Sequence, residues 1–261
     1  MIKMVKNRTE ELDAAKNAAK EAGKILMENY GKVAPRFKKD RSIVTDADIA
    51  SEERIKEMLS ARFPTYSFLA EESGLEDRGS EYEWVIDPLD GTTNYSIRNP
   101  FFNVSIALAK NGLPVLGVVY YPFQDELFHA VEGGGAYMNG VKIAVSKTSA
   151  LRDAFVCFCN AHDPETVKRA VSAYARIKPV TDRLRQVGAG ALELAYVGAG
   201  RADAYYMLKQ NPWDVAAGTL IVKEAGGTVS DIEGKPFSMR SRDAVASNGP
   251  LHKELLGLLK G

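Results

Sequence analysis

The sequence predicts a mixed α and β fold, and three observations carry this prediction. Apolar residues at helical spacing open the chain between residues 9 and 30. Short apolar runs bounded by turn residues then dominate residues 65 to 130, which is typical of β-strands. After about residue 148, strand-like and helix-like segments alternate. The 261 residues suffice for one compact unit, within which we expect two sub-domains, at 1–147 and 148–261.

The first half of the chain contains two predicted helices followed by a set of strands. Gly31 is placed to end the first helix. Thr45 is placed to cap a second helix that runs to Pro64, since acidic residues follow it directly. Asn111-Gly112 predicts a hairpin turn. The predicted strands are YSFLAEES, YEWVID, FFNVSIALAKNG, LPVLGVVYYP and ELFHAV, followed by the turn-rich hairpin EGGGAYMNGVKI.

The second half alternates between the two kinds of element. The predicted segments are AFVCFC, PETVKRAVSAYARI, VGAGALELAYVGAG, ADAYYML and PWDVAAGTLIVKEAGG. The third and fifth of them are predicted helices, and Gly226-Gly227 ends the fifth. Alternation of this kind predicts a mixed α and β architecture.

The charge and composition of the chain indicate which partners and which cellular compartment to expect. Lysine plus arginine equals aspartate plus glutamate at 34 each, so neither nucleic acid nor an acidic membrane is expected as the main partner, although a local basic patch remains open. The charged N-terminus lacks the apolar core of a signal peptide, and no run approaches the roughly 18 apolar residues that span a bilayer. Cys157 and Cys159 are poorly placed to pair, which predicts two buried thiols in a reducing cytoplasm.

The segment EWVIDPLDGTTNY carries the candidate chemistry. An apolar strand runs into Asp87 and Asp90, where Pro88 keeps the backbone extended and Gly91 permits a tight turn. The two carboxylates can then converge, with the Leu89 carbonyl oxygen between them. At a separation of about 4 Å they would repel by roughly 4 kcal/mol at an effective dielectric near 20. Either one is protonated or a cation lies between them, and oxygen ligands without a nearby histidine favour magnesium or manganese over zinc.

Two further acids are placed to join this pair. Glu71 follows an apolar strand, and Asp214 lies in the first turn of the last long helix. Each acid has an ordinary alternative when taken singly. Glu71 would be a solvated loop acid, Asp214 a helix N-terminal acid favoured by the helix dipole, and Asp87 with Asp90 an Asx turn.

Read in order, the segments AEES, WVIDPLDGTTN and WDVAAGTLIVKEAGG resemble the inositol monophosphatase family of magnesium-dependent, lithium-sensitive phosphatases. VTDAD with Glu52, and GAGALELAYVGAGRADAYY, resemble two further family segments, so the resemblance runs from about Leu12 to Asn248. It implies a layered αβαβα sandwich and a homodimer. It also implies that metal-activated water hydrolyses a small phosphorylated sugar or cyclitol, above all inositol 1-monophosphate, without a covalent intermediate.

The resemblance also implies roles for particular residues. Thr92, hydrogen-bonded to Asp48, would orient or deprotonate the attacking water; capping near Thr45 is the ordinary alternative for Asp48. The implied catalytic residues are Glu71, Thr92, Asp48 and Asp90. The implied ligands of two or three Mg²⁺ ions, for which Mn²⁺ could substitute, are Glu71, Asp87, the Leu89 carbonyl, Asp90 and Asp214.

Substrate contacts are also carried over from the family. The backbone N–H groups of Gly91 and Thr92 would cradle the phosphate at a short helix start. Lys38 would lie near it, although Lys39 is an equally basic neighbour. Met207 stands where animal inositol monophosphatases have a glutamate that binds inositol hydroxyls, which weakens the expectation of strict inositol specificity. The implied substrate-binding set is Gly91, Thr92, Lys38, Gly188, Ala189, Gly190 and Met207.

Four other functions stay open at this stage. Haloacid-dehalogenase phosphatases use an aspartyl nucleophile in D-x-D-G-T, whereas this chain has D-x-x-D-G-T, and a trapped phosphoaspartate would favour that class. Within the resembling family, a fructose-1,6-bisphosphatase, including a dual-activity enzyme, and a 3′-phosphoadenosine 5′-phosphate phosphatase remain. A protein- or RNA-binding adaptor on the same fold is the non-enzymatic alternative. Phosphate release from inositol 1-phosphate with and without magnesium separates it from the enzymes.

Overall fold

The structure is a computed structural model that describes residues 8–37 and 43–260. Its helices are α1 (Thr9–Asn29), α2 (Asp46–Arg62), α3 (Thr92–Ser96), α4 (Pro164–Ile177), α5 (Gly190–Gly198), α6 (Pro212–Glu224) and α7 (His252–Lys260). A 3₁₀ turn lies at Leu151–Asp153.

Three sheets are formed by the strands of the described ranges. A two-stranded sheet pairs β1 (Arg36–Phe37) with β2 (Ile43–Val44). The eight-stranded sheet has the order β10-β9-β8-β7-β6-β5-β3-β4, and the five-stranded sheet has the order β12-β11-β13-β15-β14. The strands of the eight-stranded sheet are β3 (Ser67–Ala70), β4 (Gly74–Glu76), β5 (Tyr82–Asp90), β6 (Asn103–Lys110), β7 (Leu113–Tyr121), β8 (Glu126–Val131), β9 (Gly135–Met138) and β10 (Val141–Lys142). Those of the five-stranded sheet are β11 (Phe155–Asn160), β12 (Arg183–Arg185), β13 (Ala204–Leu208), β14 (Thr228–Ser230) and β15 (Ala244–Ser247).

Helix pairs cover both faces of each large sheet. Trp84 on β5 packs in the cluster with α1 and α2, whereas its neighbour Val85 packs in the cluster with α5 and α6. In the same way, Tyr205 on β13 packs with α5 and α6, and Tyr206 packs with α4 and α7. Strands buried on both faces read as continuous apolar runs, as these do. The predicted αβαβα sandwich is therefore confirmed.

Local signals in the sequence account for most element ends. Thr45 caps α2, because its hydroxyl accepts the Ala47 N–H while the Asp48 side chain accepts the Thr45 N–H. Gly31 follows α1 with φ 74°, and Asn111-Gly112 forms the predicted hairpin turn with φ 49° and 76°.

Two predicted elements are shorter than the sequence indicated. The strand predicted over YSFLAEES ends at Ala70, because the next residues turn into β4. The helix predicted from Val187 starts only at Gly190, because Gly188 has a positive φ of 81° that no helix residue adopts.

Two expectations about cellular context have a structural counterpart. Cys157 and Cys159 are free and buried on one face of β11, as predicted. Within the described ranges, no helix has both the length and the apolar character needed to cross a membrane. Along the chain, the last residue of the eight-stranded sheet is Lys142, and the five-stranded sheet begins with Phe155 of β11. The division into sub-domains near residue 148 stays a prediction.

Candidate active site

Asp87 and Asp90 lie at the carboxyl end of β5, where the sheet is irregular. Asp87 pairs with Ser105 and Asp90 with Asn103, so the register with β6 shifts between the two acids. A bulge of this kind turns a strand's side chains to new directions and is frequent beside active sites. Both acids are almost fully buried, with 2% and 9% of their surfaces exposed.

Gly91 follows at once and is required there for two reasons. Its φ of 92° is unfavourable for other residues. A Cβ at this position would also lie 2.8 Å from the Phe101 carbonyl oxygen. The chain therefore turns sharply into α3 directly after the second acid.

The Asp87 carboxyl shows that four acids share one region. Burial raises its pKa well above the usual range, and the negative charges of Glu71, Asp90 and Asp214 raise it further. Its Oδ1 also accepts the Leu89 N–H at 3.0 Å. The Asx turn considered as an ordinary alternative is therefore present, and it leaves the second carboxylate oxygen available to other partners.

The Asp90 carboxylate is held by donors from two other elements. Its Oδ2 accepts the Asn103 side-chain amide at 2.6 Å and the Ala191 N–H at 2.8 Å, and its Oδ1 accepts the Gly190 N–H at 3.1 Å. The two backbone donors are the unpaired N–H groups at the start of α5, a position that favours a negative charge. Burial nevertheless raises the pKa of this carboxyl.

Asp214 combines a structural and a candidate chemical role. In the first turn of α6 its Oδ2 accepts the backbone and side-chain N–H groups of Asn211, at 3.0 and 3.1 Å, in a capping box. Burial, followed by the charge of Asp90, raises the pKa of this carboxyl to about 8. The ordinary role of a helix N-terminal acid is thus real, and the charge of Asp90 acts on the same carboxyl.

The turn that carries Glu71 is fixed by an acid from α2. Glu71 itself continues the pairing of β3, since its N–H donates to the Ile86 carbonyl at 3.1 Å. The buried Glu52 carboxylate accepts the N–H groups of Glu72 and Ser73 at 2.9 and 3.0 Å. Glu52 therefore positions the turn at the carboxyl end of β3, next to the end of β5 with which β3 runs parallel.

Thr92 and Asp48 are in contact, as predicted. The Thr92 hydroxyl lies 3.3 Å from Asp48 Oδ1 and 3.0 Å from the Leu89 carbonyl oxygen. Asp48 Oδ2 meanwhile accepts the Thr45 hydroxyl at 2.6 Å, so capping and the contact with Thr92 coexist. Burial is the main cause that raises the pKa of Asp48 to about 6.

The oxygen atoms of these acids are ligands that suit magnesium, but the acids are not yet arranged around one metal position. Asp87, Asp90 and Asp214 form no ion pair with a lysine, arginine or histidine of the described ranges, and oxygen ligands of this kind suit a hard cation. The buried Asn103 amide oxygen, beside Asp90, has no hydrogen-bond partner in the described part of the chain. In the same part, no group of three carboxylate, imidazole or thiol side chains is already arranged to hold a metal ion.

The candidate substrate residues have different outcomes. Lys38 and Lys39 lie outside the described residues. The Gly190 N–H is donated to Asp90, and the turn before it is tied to α3, since the Asn94 amide donates to the Val187 and Gly188 carbonyls at 2.9 and 3.3 Å. The contacts of Gly188, Ala189 and Gly190 with a substrate stay a prediction.

Met207 lies in the apolar cluster between the five-stranded sheet and α5 with α6, where Cys159 and Leu194 are its neighbours. Its side chain is nearly buried. A methionine suits these surroundings, whereas a carboxylate there would need a polar partner. A contact between Met207 and a substrate stays a prediction.

The sequence reading missed Glu193, a buried carboxyl behind the acids. Only 2% of Glu193 is exposed. Its Oε1 accepts the Val187 N–H at 3.2 Å, and its Oε2 accepts the Cys159 thiol at 3.0 Å. Burial raises its pKa to about 8. A charged residue within the apolar run GALELAYVG was the available signal, because a carboxyl is rarely buried without a structural or functional reason.

These features define a class of protein before any comparison is made: a layered α and β protein with buried acids at strand and helix ends. Comparison with known proteins identifies the family to which this fold and site belong. The profile of the inositol monophosphatase family matches residues 7–260. The chain is 40% identical to fructose-1,6-bisphosphatase/inositol-1-monophosphatase of Aquifex aeolicus over 98% of this chain and 97% of that protein. It is 38% identical to Nus factor SuhB of Escherichia coli over 95% of each chain.

A solved structure is similar to this chain in both fold and sequence. The extragenic suppressor protein suhB from Bartonella henselae superposes with a TM-score of 0.92 at 36% identity, over 96% of this chain and 98% of that one. The chain therefore belongs to the inositol monophosphatase family. It is a phosphoric monoester hydrolase of that metal-dependent family.

Proposed function

We propose that this protein is a magnesium-dependent hydrolase of small phosphate monoesters, with inositol 1-phosphate as its preferred substrate. One observation carries the proposal: burial raises the pKa of Asp87, and the negative charges of Glu71, Asp90 and Asp214 raise it further. Carboxylates gathered in this way from separate segments stay ionised at neutral pH only when cations neutralise them. A phosphatase needs such cations, because the negative oxygens of a phosphate monoester repel an attacking nucleophile.

The ligands in this proposal are oxygen atoms alone. They are the carboxylates of Glu71, Asp87, Asp90 and Asp214 and the carbonyl oxygen of Leu89, holding two or three Mg²⁺ ions, with Mn²⁺ able to substitute. When bound, these ions would supply the positive charge that neutralises the phosphoryl oxygens and promotes attack by water. Asp90 would exchange at least one of its N–H donors for a metal ion, and the start of α5 would continue to hold its other oxygen.

Thr92 and Asp48 would place the attacking water molecule. The Thr92 hydroxyl donates a single proton and lies within reach of two acceptors, the Asp48 carboxylate and the Leu89 carbonyl. Its lone pairs therefore stay available to accept a hydrogen bond from a water molecule. Asp48, with a pKa of about 6, is mostly ionised at neutral pH and can draw the threonine proton towards itself.

The phosphate would lie against the start of α3, where the backbone N–H groups of Gly91 and Thr92 point. Lys38 would add positive charge near it. The organic part of the substrate would extend towards the turn at Gly188–Gly190, which the Asn94 amide fastens to α3.

Fructose 1,6-bisphosphate is the second candidate substrate, and Met207 favours it. A thioether offers no acceptor for the hydroxyl groups of a cyclitol, so the pocket lacks one group that would select inositol. The Aquifex relative carries both activities in its name. We therefore expect dual activity.

Three properties accompany the proposal. They are a homodimer, inhibition by lithium that competes for a magnesium position, and action in the cytoplasm. An adaptor function that binds RNA or protein is the alternative, favoured by the name Nus factor of the Escherichia coli relative and opposed by the even charge balance of the chain.

A single assay series tests the function. Phosphate release is measured from inositol 1-phosphate, fructose 1,6-bisphosphate and 3′-phosphoadenosine 5′-phosphate, with 5 mM EDTA or with about 5 mM Mg²⁺, a concentration chosen to saturate hard-cation sites of ordinary affinity. We expect release from the first two substrates only when magnesium is present. Absence of release from every substrate would overturn the proposal and favour the adaptor.

A further inference from the structure

A polar cavity lies beside α1. It has a volume of about 420 Å³ and opens between the first half of α1, β8 and the turn that joins β9 to β10. None of the candidate active-site residues lines it. The lining residues are Asp13, Lys16, Asn17, Lys20, Leu127, His129, Asn139 and Gly140. The volume is within the range of small-molecule sites, roughly 300–1,000 Å³.

Two lysines on one face of α1 give the cavity its charge. Lys16 and Lys20 are four residues apart, a spacing at which like charges repel and destabilise a helix. Burial and the charge of Lys20 lower the pKa of Lys16, and Asp13 offsets this only in part. Within the described ranges, neither lysine has a hydrogen-bond or ion-pair acceptor in contact. Lys24, one further turn along α1, is paired with Glu21 at 2.5 Å, so the helix does provide partners elsewhere.

A buried imidazole adds neutral hydrogen-bonding capacity. His129 is only 8% exposed, lines the cavity and stacks on Tyr137 at 5.3 Å between ring centroids. Burial lowers its pKa to about 4, so the ring is neutral at pH 7. Its two nitrogens make no hydrogen bond with any residue of the described ranges. One N–H donor and one acceptor therefore have no protein partner in the described structure.

Hydrogen bonds of Asn139 hold the opposite wall of the cavity in place. The Asn139 side chain accepts the Leu127 N–H at 2.8 Å and donates to the Asp125 carbonyl at 3.0 Å. Both Asn139 and Gly140 adopt positive φ angles in the tight turn. The wall keeps the cavity open without a ligand, so binding would need little rearrangement.

We propose that this cavity binds a small phosphate-bearing anion, with Lys16 and Lys20 neutralising the phosphate and His129 hydrogen-bonding to it. Two ammonium groups match the double negative charge of a phosphate monoester, and lysine is a common phosphate ligand. The volume exceeds that of inorganic phosphate and leaves room for an organic part, whose hydroxyl groups would donate hydrogen bonds to the Asp13 carboxylate. A cation is excluded by the two lysines.

The test uses the full chain stripped of metals with EDTA, because the active-site acids then repel phosphate and cannot account for binding. Inorganic phosphate and glycerol 3-phosphate are titrated separately at constant ionic strength, followed by calorimetry and by NMR of the histidine rings. We expect saturable binding of both probes, with a shift of the His129 ring signals. Wild type is compared with Lys16→Gln/Lys20→Gln and with the matched control Lys24→Gln. The control should bind like wild type, and the double variant at least tenfold more weakly.

Two outcomes would overturn the proposal. One is the absence of saturable binding in wild type. The other is equal binding by wild type and the double variant. The melting temperature checks the fold of the variants independently: without ligand, Lys16→Gln/Lys20→Gln should melt no lower than wild type, because a like-charge pair is removed. A phosphate-induced rise in the melting temperature of wild type that the double variant lacks would support the site even if calorimetric heats are small.

Discussion

Replacement of Asp90 by asparagine is the sharpest test of the metal assignment. The carboxylate accepts three N–H donors, from Asn103, Gly190 and Ala191, at 2.6 to 3.1 Å. An asparagine can keep only the donors that face its carbonyl oxygen, and its NH₂ group must then face a donor. An unsatisfied buried group costs about 1–3 kcal/mol. Removing one of four clustered negative charges opposes that cost, so we expect Asp90→Asn to fold.

The expected loss of activity is much larger than the loss of stability. One unit charge acting on another at about 4 Å contributes roughly 4 kcal/mol at an effective dielectric of 20. Since about 1.4 kcal/mol corresponds to a tenfold change in rate, loss of this charge from a bound cation predicts a decrease of about three orders of magnitude or more. The assay is phosphate release from inositol 1-phosphate with saturating magnesium, alongside a Mn²⁺ titration followed by electron paramagnetic resonance.

A matched control separates this effect from a general change of charge. Asp46 also lies at the end of an element, in the first turn of α2, but its side chain is exposed and paired with Arg36 at 2.6 Å. Asp46→Asn should leave hydrolysis and Mn²⁺ affinity close to those of wild type. If Asp90→Asn turned over at a rate near that of wild type, the metal assignment would be wrong.

Three further predictions follow from the structure. Met207→Glu should raise the ratio of inositol 1-phosphate to fructose 1,6-bisphosphate hydrolysis, because it restores a hydroxyl acceptor at the cost of some stability in an apolar cluster. In metal-free protein, the melting temperature should decrease as the pH rises from about 4 to about 8. Burial raises the folded-state pKa values of Asp48 and Asp214 to about 6 and about 8. In this pH range the folded state therefore binds more protons than the unfolded state, and it loses stability as the pH rises. Gly190→Ala should lower the melting temperature by several degrees, because its Cβ would lie 2.6 Å from the Tyr205 hydroxyl oxygen. Tyr205→Phe should restore most of that loss, since the hydroxyl has no hydrogen-bond partner in the described part of the chain.

Each of these has a clear contrary result. An unchanged substrate ratio in Met207→Glu would discredit the assignment of that position to the pocket. A melting temperature that rises with pH in EDTA would contradict the raised pKa values, while saturating Mg²⁺ is expected to flatten the profile and Asp214→Asn to lessen its slope. Independent, additive effects of Gly190→Ala and Tyr205→Phe would show that the two side chains do not meet.

Much of the fold was predictable because both sheets and helices leave strong local signals. The capping pattern at Thr45, the hairpin signal at Asn111-Gly112 and the apolar runs of the strands all correspond to observed elements. Periodicity alone predicted only a mixed α and β chain. The order of the five layers came from the family resemblance, since the packing of one layer on another depends on contacts between residues far apart in sequence.

The sequence was enough to propose the acids of the candidate site, whose joint role stays a prediction, but not to predict what surrounds them. The spacing of Asp87 and Asp90 with the Gly91 turn pointed to convergence of the two carboxylates. No local pattern indicated that the N–H groups of α5 would bind Asp90, because that contact joins residues about a hundred positions apart. Nor did any pattern indicate that Glu193 would accept the Val187 N–H in the preceding turn, because Glu193 lies within an apolar run. Several acids also proved to have their ordinary structural role. Their proposed chemical role stays a prediction, and no pattern in the sequence distinguishes the two.

The hydrogen bonds from α5 to Asp90 make the candidate site depend on both halves of the polypeptide. The carboxylate belongs to the N-terminal part of the chain, and the two amides that orient it belong to the C-terminal part, a hundred residues later. If the backbone were cut in the segment between β10 and β11, each fragment would carry an incomplete centre. Catalysis by such a split protein would then report directly whether the fragments had docked in their original alignment.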